Sequence, residues 1–418
     1  MIGTTMAMAA VTLEGRSDVR VGAVSDQRSY RLASLDLLRG LVIVIMAIDH
    51  VRDFFLAGAL QDPTTDPNIT LGMFMTRWIT HFCAPVFVLL AGVSAGLMAA
   101  RRSPNELARF LFTRGVWLIA IECLVISTSA TFAPAGIPQV GGRFLVTMQV
   151  IWAIGASMIV LAGAQKLGRR ACLAGGALIL IGHNLLDPVW PQTGLLESNW
   201  PLWAALHSQM SVIVGPFMFT FVYPLLPWIG VMLFGFGVAA LFEREEAARK
   251  SALLKWGLAL TAAFVVLRAV GLYGDPNPWQ SQARGVTATV IDFLNTTKYP
   301  PSLDFVLMTL GPAAILCAFA DRIPRAVGGI LTTFGRVPFA FYVAHVILIH
   351  TLSVVLGVAQ GFRASEFMTL FLFYPPGYGV SLFGVYVVWA VVIMTLYPYC
   401  RWMAGVKARR RDWWLSYV

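Results

Sequence analysis

The sequence predicts an all-α integral membrane bundle: a polytopic protein of about ten transmembrane helices with both termini in the cytoplasm. Three observations carry that prediction. The 418-residue chain is 58% hydrophobic and 12% charged, with a mean hydropathy of +0.72, far from the balance of a soluble domain. Apolar runs long enough to cross a bilayer recur along its whole length. The basic residues alternate: 20 of the 31 Lys and Arg fall in segments 1–36, 100–109, 166–170, 243–250, 321–326 and 400–418, and six fall in the segments between. The positive-inside rule then puts the rich set in the cytoplasm. The net charge of +10 reads as a topology and lipid-surface signal, and no nucleic-acid partner is expected.

Taken in order, residues 1–32 carry scattered charges and only a short, weakly apolar stretch, so they read as a flexible cytoplasmic tail and not as a signal peptide. The membrane domain is expected over 33–405. Its first span, 37–56, carries an ionisable residue near each end, Arg39 and His50. The following spans are expected near 78–99, 109–129, 144–165 and 171–187, the last of them short and ending in His183-Asn184. Three more lie near 221–242, 251–271 and 303–320. The ninth, 327–354, is long and contains Gly335, Arg336 and Pro338, which predicts a kink or a re-entrant piece. The tenth is 379–399, and residues 406–418 form a basic cytoplasmic tail. Its Arg409-Arg410-Arg411 and Trp413-Trp414 suit an anchor at the headgroups or a simple stop-transfer flank. The longest loops on the opposite side, 57–77, 188–220 and 272–302, are rich in Pro, Trp, Asn and Gly, as befits a vestibule for a polar acceptor or an interfacial belt. The five cysteines show no metal-ligand spacing and read as small buried residues; no metal is expected.

The first span holds the strongest functional signal. Eleven helical steps separate Arg39 from His50, which returns both side chains to one face about 16 Å apart along the axis. Asp36 and Asp53 fall near the same stripe, while Asp49 points off it. Charged groups in hydrocarbon cost about 2.5–3.5 kcal/mol each, so a stripe of them implies a polar cavity or partners. Histidines recur in the predicted spans, at His81, His183, His345 and His350 as well as His50. A histidine is a base or acid near neutral pH with little tuning. Those residues alone fit either an enzyme or a proton-coupled transporter or exporter of a small polar solute. The chain shows no internal repeat of the kind that marks many transporters, and the long loops lie on one side only. Nothing reads as a nucleotide-binding glycine motif, a zinc-protease motif or a nucleophile elbow.

Ser34-Leu-Asp-Leu-Leu-Arg-Gly40, followed by His50, resembles the first helix of the acyltransferase-3 group of integral membrane acyltransferases, which a basic residue, ten residues and a histidine define. Five further pieces are Thr80-His-Phe-Cys-Ala-Pro-Val-Phe-Val-Leu-Leu-Ala-Gly92, Gln149-Val-Ile-Trp-Ala-Ile-Gly155, Tyr223-Pro-Leu-Leu-Pro-Trp-Ile-Gly230, Asn295-Thr-Thr-Lys-Tyr-Pro-Pro-Ser302 and Phe334-Gly-Arg-Val-Pro-Phe-Ala-Phe-Tyr-Val-Ala-His345. Together they resemble the heparan-α-glucosaminide N-acetyltransferase catalytic-domain family, in its bacterial branch. The resemblance implies transfer of an acyl group, usually acetyl from cytoplasmic acetyl-CoA, to a sugar amine or hydroxyl at the outer face of a bacterial inner membrane. Its partners would be the bilayer, acetyl-CoA and a saccharide or other polar acceptor, with room for a homodimer. In these terms Arg39, Asp36 and Arg114 would meet the CoA end, and Arg39 or Arg114 would face the developing oxyanion. His50 would be the base, with Asp53 as its orienting carboxylate. In the eukaryotic branch the active histidine lies near the outer end of the second span, where His81 is the nearest counterpart. His50 and His81 therefore compete for the catalytic role.

Overall fold

The computed structural model describes residues 15–58, 69–189, 200–410 and 412–416, with side chains between residues 34 and 415. Of the expected flexible tail, residues 1–14 lie outside this set, and from Gly15 the backbone belongs to the first helix. Helix accounts for 74% of the structure, and seven helices are long and apolar enough to cross a membrane among the described residues. The protein is an all-α polytopic membrane bundle.

Helix α1, Gly15–Phe55, is the organising element. A turn at His81-Phe82 joins α2, Leu71–Thr80, to α3, Cys83–Ala99. Helix α4, Pro104–Ile121, starts with a capping box: the Ser103 side chain accepts from the Glu106 backbone while the Glu106 carboxylate accepts from the Ser103 backbone, and Pro104 sits where a missing N–H costs nothing. A π-helical turn, Glu122–Ile126, carries this helix into α5, Ser127–Thr131. Such a turn inserts one residue and re-aims the side chains after it. Strand β1, Phe144–Met148, then feeds α6, Val150–Ala164. The fourth span expected from 144 therefore begins as a strand. Helix α7 covers Arg169–Gly182, followed by a 3₁₀ turn at His183–Leu186 and, further on, the short α8, Pro201–Leu206. Strands β2, Ser211–Val214, and β3, Phe217–Phe221, form a hairpin, and β3 also pairs in parallel with β1, giving the order β1-β3-β2.

Helices α9, Leu225–Val238, and α10, Glu246–Val270, follow. Beyond α10, Arg268 organises the loop that leads through α11, Val286–Leu294, to α12, Leu303–Ala318. The buried Arg268 guanidinium donates to the carbonyls of Asn277, Asp292, Phe293 and Asn295 at 2.9–3.1 Å. Asp275 accepts from the Thr297 backbone and hydroxyl and from Ser302 at 2.6–2.8 Å. The expected ninth span is two helices, α13, Arg325–Arg336, and α14, Pro338–Ala359, broken at Val337. Pro338 has no N–H to continue a preceding helix but is well placed to start the next. Helix α15, Leu382–Arg409, completes the bundle, and a 3₁₀ turn at Trp413–Ser416 follows it.

Glycines set the closest helix contacts. A Cβ on Gly40 of α1 would overlap the Leu331 carbonyl of α13, and one on Gly335 would overlap the Asp36 carbonyl. Two helices touching through backbone in this way is the small-residue packing that bilayers favour, because lipid offers no hydrophobic drive for association. The outer faces carry exposed apolar side chains, such as Trp256, Val266 and Val270 on α10 and Phe383, Val387 and Met394 on α15. A hydrocarbon solvent suits that surface. Four cysteines, Cys83, Cys172, Cys317 and Cys400, are buried and Cys123 half-buried, all as free thiols.

The expected cytoplasmic segments gather at one end. Arg169 pairs with Glu243 at 2.7 Å and donates to the Gly96 carbonyl at 2.7 Å. Lys250 joins Asp321 at 2.7 Å. The sheet and the loop ordered by Arg268 lie towards the other end of α1, where Tyr299 and Thr220 meet His50 around one cavity.

Candidate active site

Two cavities inside the bundle share one lining side chain, Tyr342. The first, of about 390 Å³, is lined along α1 by Arg39, Ile43 and Met46, one helical face. Arg114, Arg336 and Lys407 add three more cations, and Phe87, Leu118, Ile151 and Met158 supply apolar walls. Leu415, in the C-terminal turn, also reaches it. Arg39 is held in place: its guanidinium donates to Asp36 at 2.8 Å, to the Gly335 carbonyl at 3.3 Å and to the Ser94 hydroxyl at 3.2 Å. Lys407 donates to the Arg336 carbonyl at 3.3 Å. An adjoining cavity lined by Asp36, Arg39, Ser94 and Arg101 widens this end.

The second cavity, of about 440 Å³, starts where the first stops. It is lined by Asp49, His50 and Asp53 of α1, by Thr147 and Gln149, by Ser211 and Thr220 of the sheet, and by Tyr223, Tyr299, Phe371 and Phe373. Asp49 is the hub of its charge. Arg77 donates to both carboxylate oxygens at 2.8 and 2.6 Å, Arg52 lies 2.9 Å from Oδ1, and Lys298 lies 3.7 Å from Oδ2. Arg52 also pairs with Asp53 at 2.6 Å. Three cations and two carboxylates thus close the end of α1, drawn from α1, α2 and the loop that Arg268 orders.

His50 lines this cavity, with its ring 4.9 Å from that of His345, edge to face. His345 is fully buried, and its Nδ1 faces the Tyr342 and Phe341 carbonyls at 2.5 and 3.2 Å. Two carbonyls tolerate only a donor, so Nδ1 carries the proton and Nε2 presents a lone pair. Among the described residues, that Nε2 has no hydrogen-bond partner. Glu122, at the π-helical turn, accepts the Trp152 backbone N–H at 3.0 Å and so closes the first turn of α6.

The structure sorts the six residues singled out in the sequence. Arg39 and Arg114 line the first cavity and Asp36 pairs with Arg39; His50 and Asp53 line the second. His81 is buried against Phe305 and is found in neither lining. Asp53 bonds to Arg52, not to His50, so the carboxylate expected to orient the ring is engaged elsewhere. Asp49, Arg77, Lys298, Tyr342 and His345 complete the site. In the sequence Asp49, Tyr342 and His345 are polar groups inside apolar runs and Arg77 and Lys298 are loop cations, which does not say which of them converge. Among the described residues, no group of three or more His, Cys, Asp or Glu could hold a metal ion.

Residues 31–271, more than half of the chain, match the family described as heparan-alpha-glucosaminide N-acetyltransferase, catalytic. The chain belongs to this family. No curated protein matches it. As a heparan-alpha-glucosaminide N-acetyltransferase family member it is a membrane-bound acetyltransferase, and proton-coupled transport is set aside. The family stretch contains Arg39, His50, Arg77 and Arg114 of the site. Lys298, Tyr342 and His345 come from beyond it.

Proposed function

We propose that this acetyltransferase takes its acetyl group from acetyl-CoA at the Arg39 end, in the cytoplasm, and passes it to a sugar amine or hydroxyl held at the His50 end, on the outer side. The observation that carries this reading is the pair of cavities that line opposite halves of the membrane part of α1 and share one lining side chain, Tyr342. The first cavity has the chemistry of a CoA arm. Arg39, Arg114, Arg336 and Lys407 suit phosphate oxygens, and the apolar walls suit the pantetheine chain that carries the thioester. The gathering of basic segments at the same end supports its cytoplasmic placement. The second cavity offers ring faces from Tyr223, Tyr299, Phe371 and Phe373, and hydroxyl or amide partners from Thr147, Gln149, Gln209, Ser211 and Thr220. Ring faces combined with polar partners suit a saccharide.

In this reading His50 is the base. It lines the acceptor cavity, whereas His81 does not. It takes the proton that the attacking amine or hydroxyl gives up, and His345 stands beside it with a free ring nitrogen. Asp53 acts through Arg52, holding the end of α1. The test uses purified protein in detergent with acetyl-CoA, with and without glucosamine-type acceptors. Thioester consumption should rise on adding acceptor. His50→Ala should lower turnover on the order of 10²-fold or more while CoA still binds, and His81→Ala should cost less. Near-normal turnover in His50→Ala together with a dead His81→Ala would transfer the base to His81. Arg39→Ala should weaken CoA binding more than acceptor binding, as calorimetric titration with CoA reads directly.

A further inference from the structure

Among the described residues, Tyr342 is the one side chain that lines both cavities. The reason is its place in the fold. Along α14, Pro338 and Phe339 face the first cavity and Val346 faces the second, with Tyr342 between them. On α1 the same change falls between Met46 and Asp49, and at the start of α6 between Val150 and Gln149. The three elements thus change cavities at one level, and Tyr342 stands at that level. Its side chain is 4% exposed, and its hydroxyl has no hydrogen-bond partner among the described residues. Buried hydroxyls nearly always have one. The ring lies 6.2 Å from that of His50, edge to face. The N-terminus of α6, which borders both cavities at Val150 and Gln149, already gives its Trp152 N–H to Glu122. Arg39, about 16 Å from His50 along α1, is engaged by Asp36, Ser94 and Gly335.

We propose that Tyr342 is a catalytic residue whose O–H donates to the carbonyl oxygen of the thioester at the junction of the two cavities and stabilises the oxyanion formed there. This rests on the acyl-transfer reading above. The acceptor's lone pair forms the new bond to the carbonyl carbon, and the π pair moves onto oxygen, where the Tyr342 O–H meets it. The pair returns as the carbon–sulfur bond breaks, and the thiolate leaves. The proton lost by the acceptor goes to His50 and from there to the thiolate, giving acylated acceptor and free thiol. Tyr342 keeps its own proton throughout. The role expected of Arg39 or Arg114 falls instead to a neutral donor that needs no desolvated charge.

Tyr342→Phe keeps the ring and removes the donor. Turnover of acetyl-CoA with a glucosamine-type acceptor should fall about 10²–10³-fold. CoA affinity by titration and the thermal unfolding midpoint should match the wild type. The pH–rate profile should keep the limb that reports the base, because His50 is untouched. Turnover equal to that of the wild type would overturn the proposal. So would a loss of turnover that tracks a loss of CoA binding or of thermal stability, since that marks a packing role. A wild type that never consumes acetyl-CoA would sink the acyl-transfer reading itself. An active wild type with an equally active Tyr342→Phe sinks this assignment alone.

Discussion

At the scale of single residues, Asp49 decides how the end of α1 is held. Its carboxylate is the shared anion of Arg52, Arg77 and Lys298. Asp49→Asn would take from the largely buried Arg77 and Lys298 the carboxylate they share and leave Arg52 with Asp53. Breaking a buried pair from one side costs about 3–5 kcal/mol, so a clear drop in the unfolding midpoint in detergent is expected. Asp53→Asn, which loses only Arg52, should lower it less; equal midpoints would contradict this ranking. The sequence pointed to Asp53 and passed over Asp49 because a lone helix shows only its own i, i+3 neighbours. Arg77 comes from α2, and Lys298 from a loop almost 250 positions away. Spacing on one helix cannot reveal such partners. The stripe of Arg39 and His50 was legible for the opposite reason, since helical periodicity alone fixes it.

At the scale of elements, the backbone contact between α1 and α13 makes the sharpest demand on sequence. Gly335→Val would drive a side chain into the Asp36 carbonyl. Overpacking of this kind costs about 1–3 kcal/mol, or more where backbone must shift. Reduced stability and a displaced Arg39, read as weaker CoA binding, are expected together; a fully stable variant that binds CoA normally would show that the two helices separate freely. The break between α13 and α14 was foreshadowed by Pro338, whereas β1 was hidden. Phe144–Met148 is a short apolar run, and composition does not separate a buried strand from the first turn of a helix. The segment between α7 and α9 carries a pH signal of its own. His207 is buried, donates to the His183 carbonyl at 3.1 Å and lies 3.6 Å from Asp187. Burial lowers its pKa, against the pull of Asp187. The folded state therefore binds that proton less readily than the unfolded chain. Stability from this group is complete above about pH 6.5 and declines as the pH falls below it. Hydrogen exchange over 200–222 should quicken at acid pH, and His207→Gln should flatten that dependence; an unchanged slope would remove His207 as its source.

At the scale of the whole molecule, composition and basic-residue asymmetry were enough to read a polytopic bundle, and the family match agrees with the motifs on its first two-thirds. The two cavities were not legible, because they are made by loops and helix ends that sequence cannot position relative to one another. Sidedness is open to direct measurement. A membrane-impermeant thiol reagent should label Ser281→Cys from outside intact cells and Arg325→Cys only after the membrane is opened. The native cysteines are buried or half-buried, so their background should be low; labelling of Ser281→Cys from the cytoplasmic side alone would invert the topology. The placing of Tyr342 bears on the membrane as well as on the reaction. The two cavities lie along α1 and share one lining side chain, the Tyr342 phenol. On the acyl-transfer reading proposed above, the acetyl group passes that ring on its way between the two cavities. Any movement of the ring wide enough for an acetyl group is wide enough for water. If transfer runs by that route, turnover and ion leak are coupled at Tyr342, and a membrane sealed during transfer requires substrates on both sides of the ring.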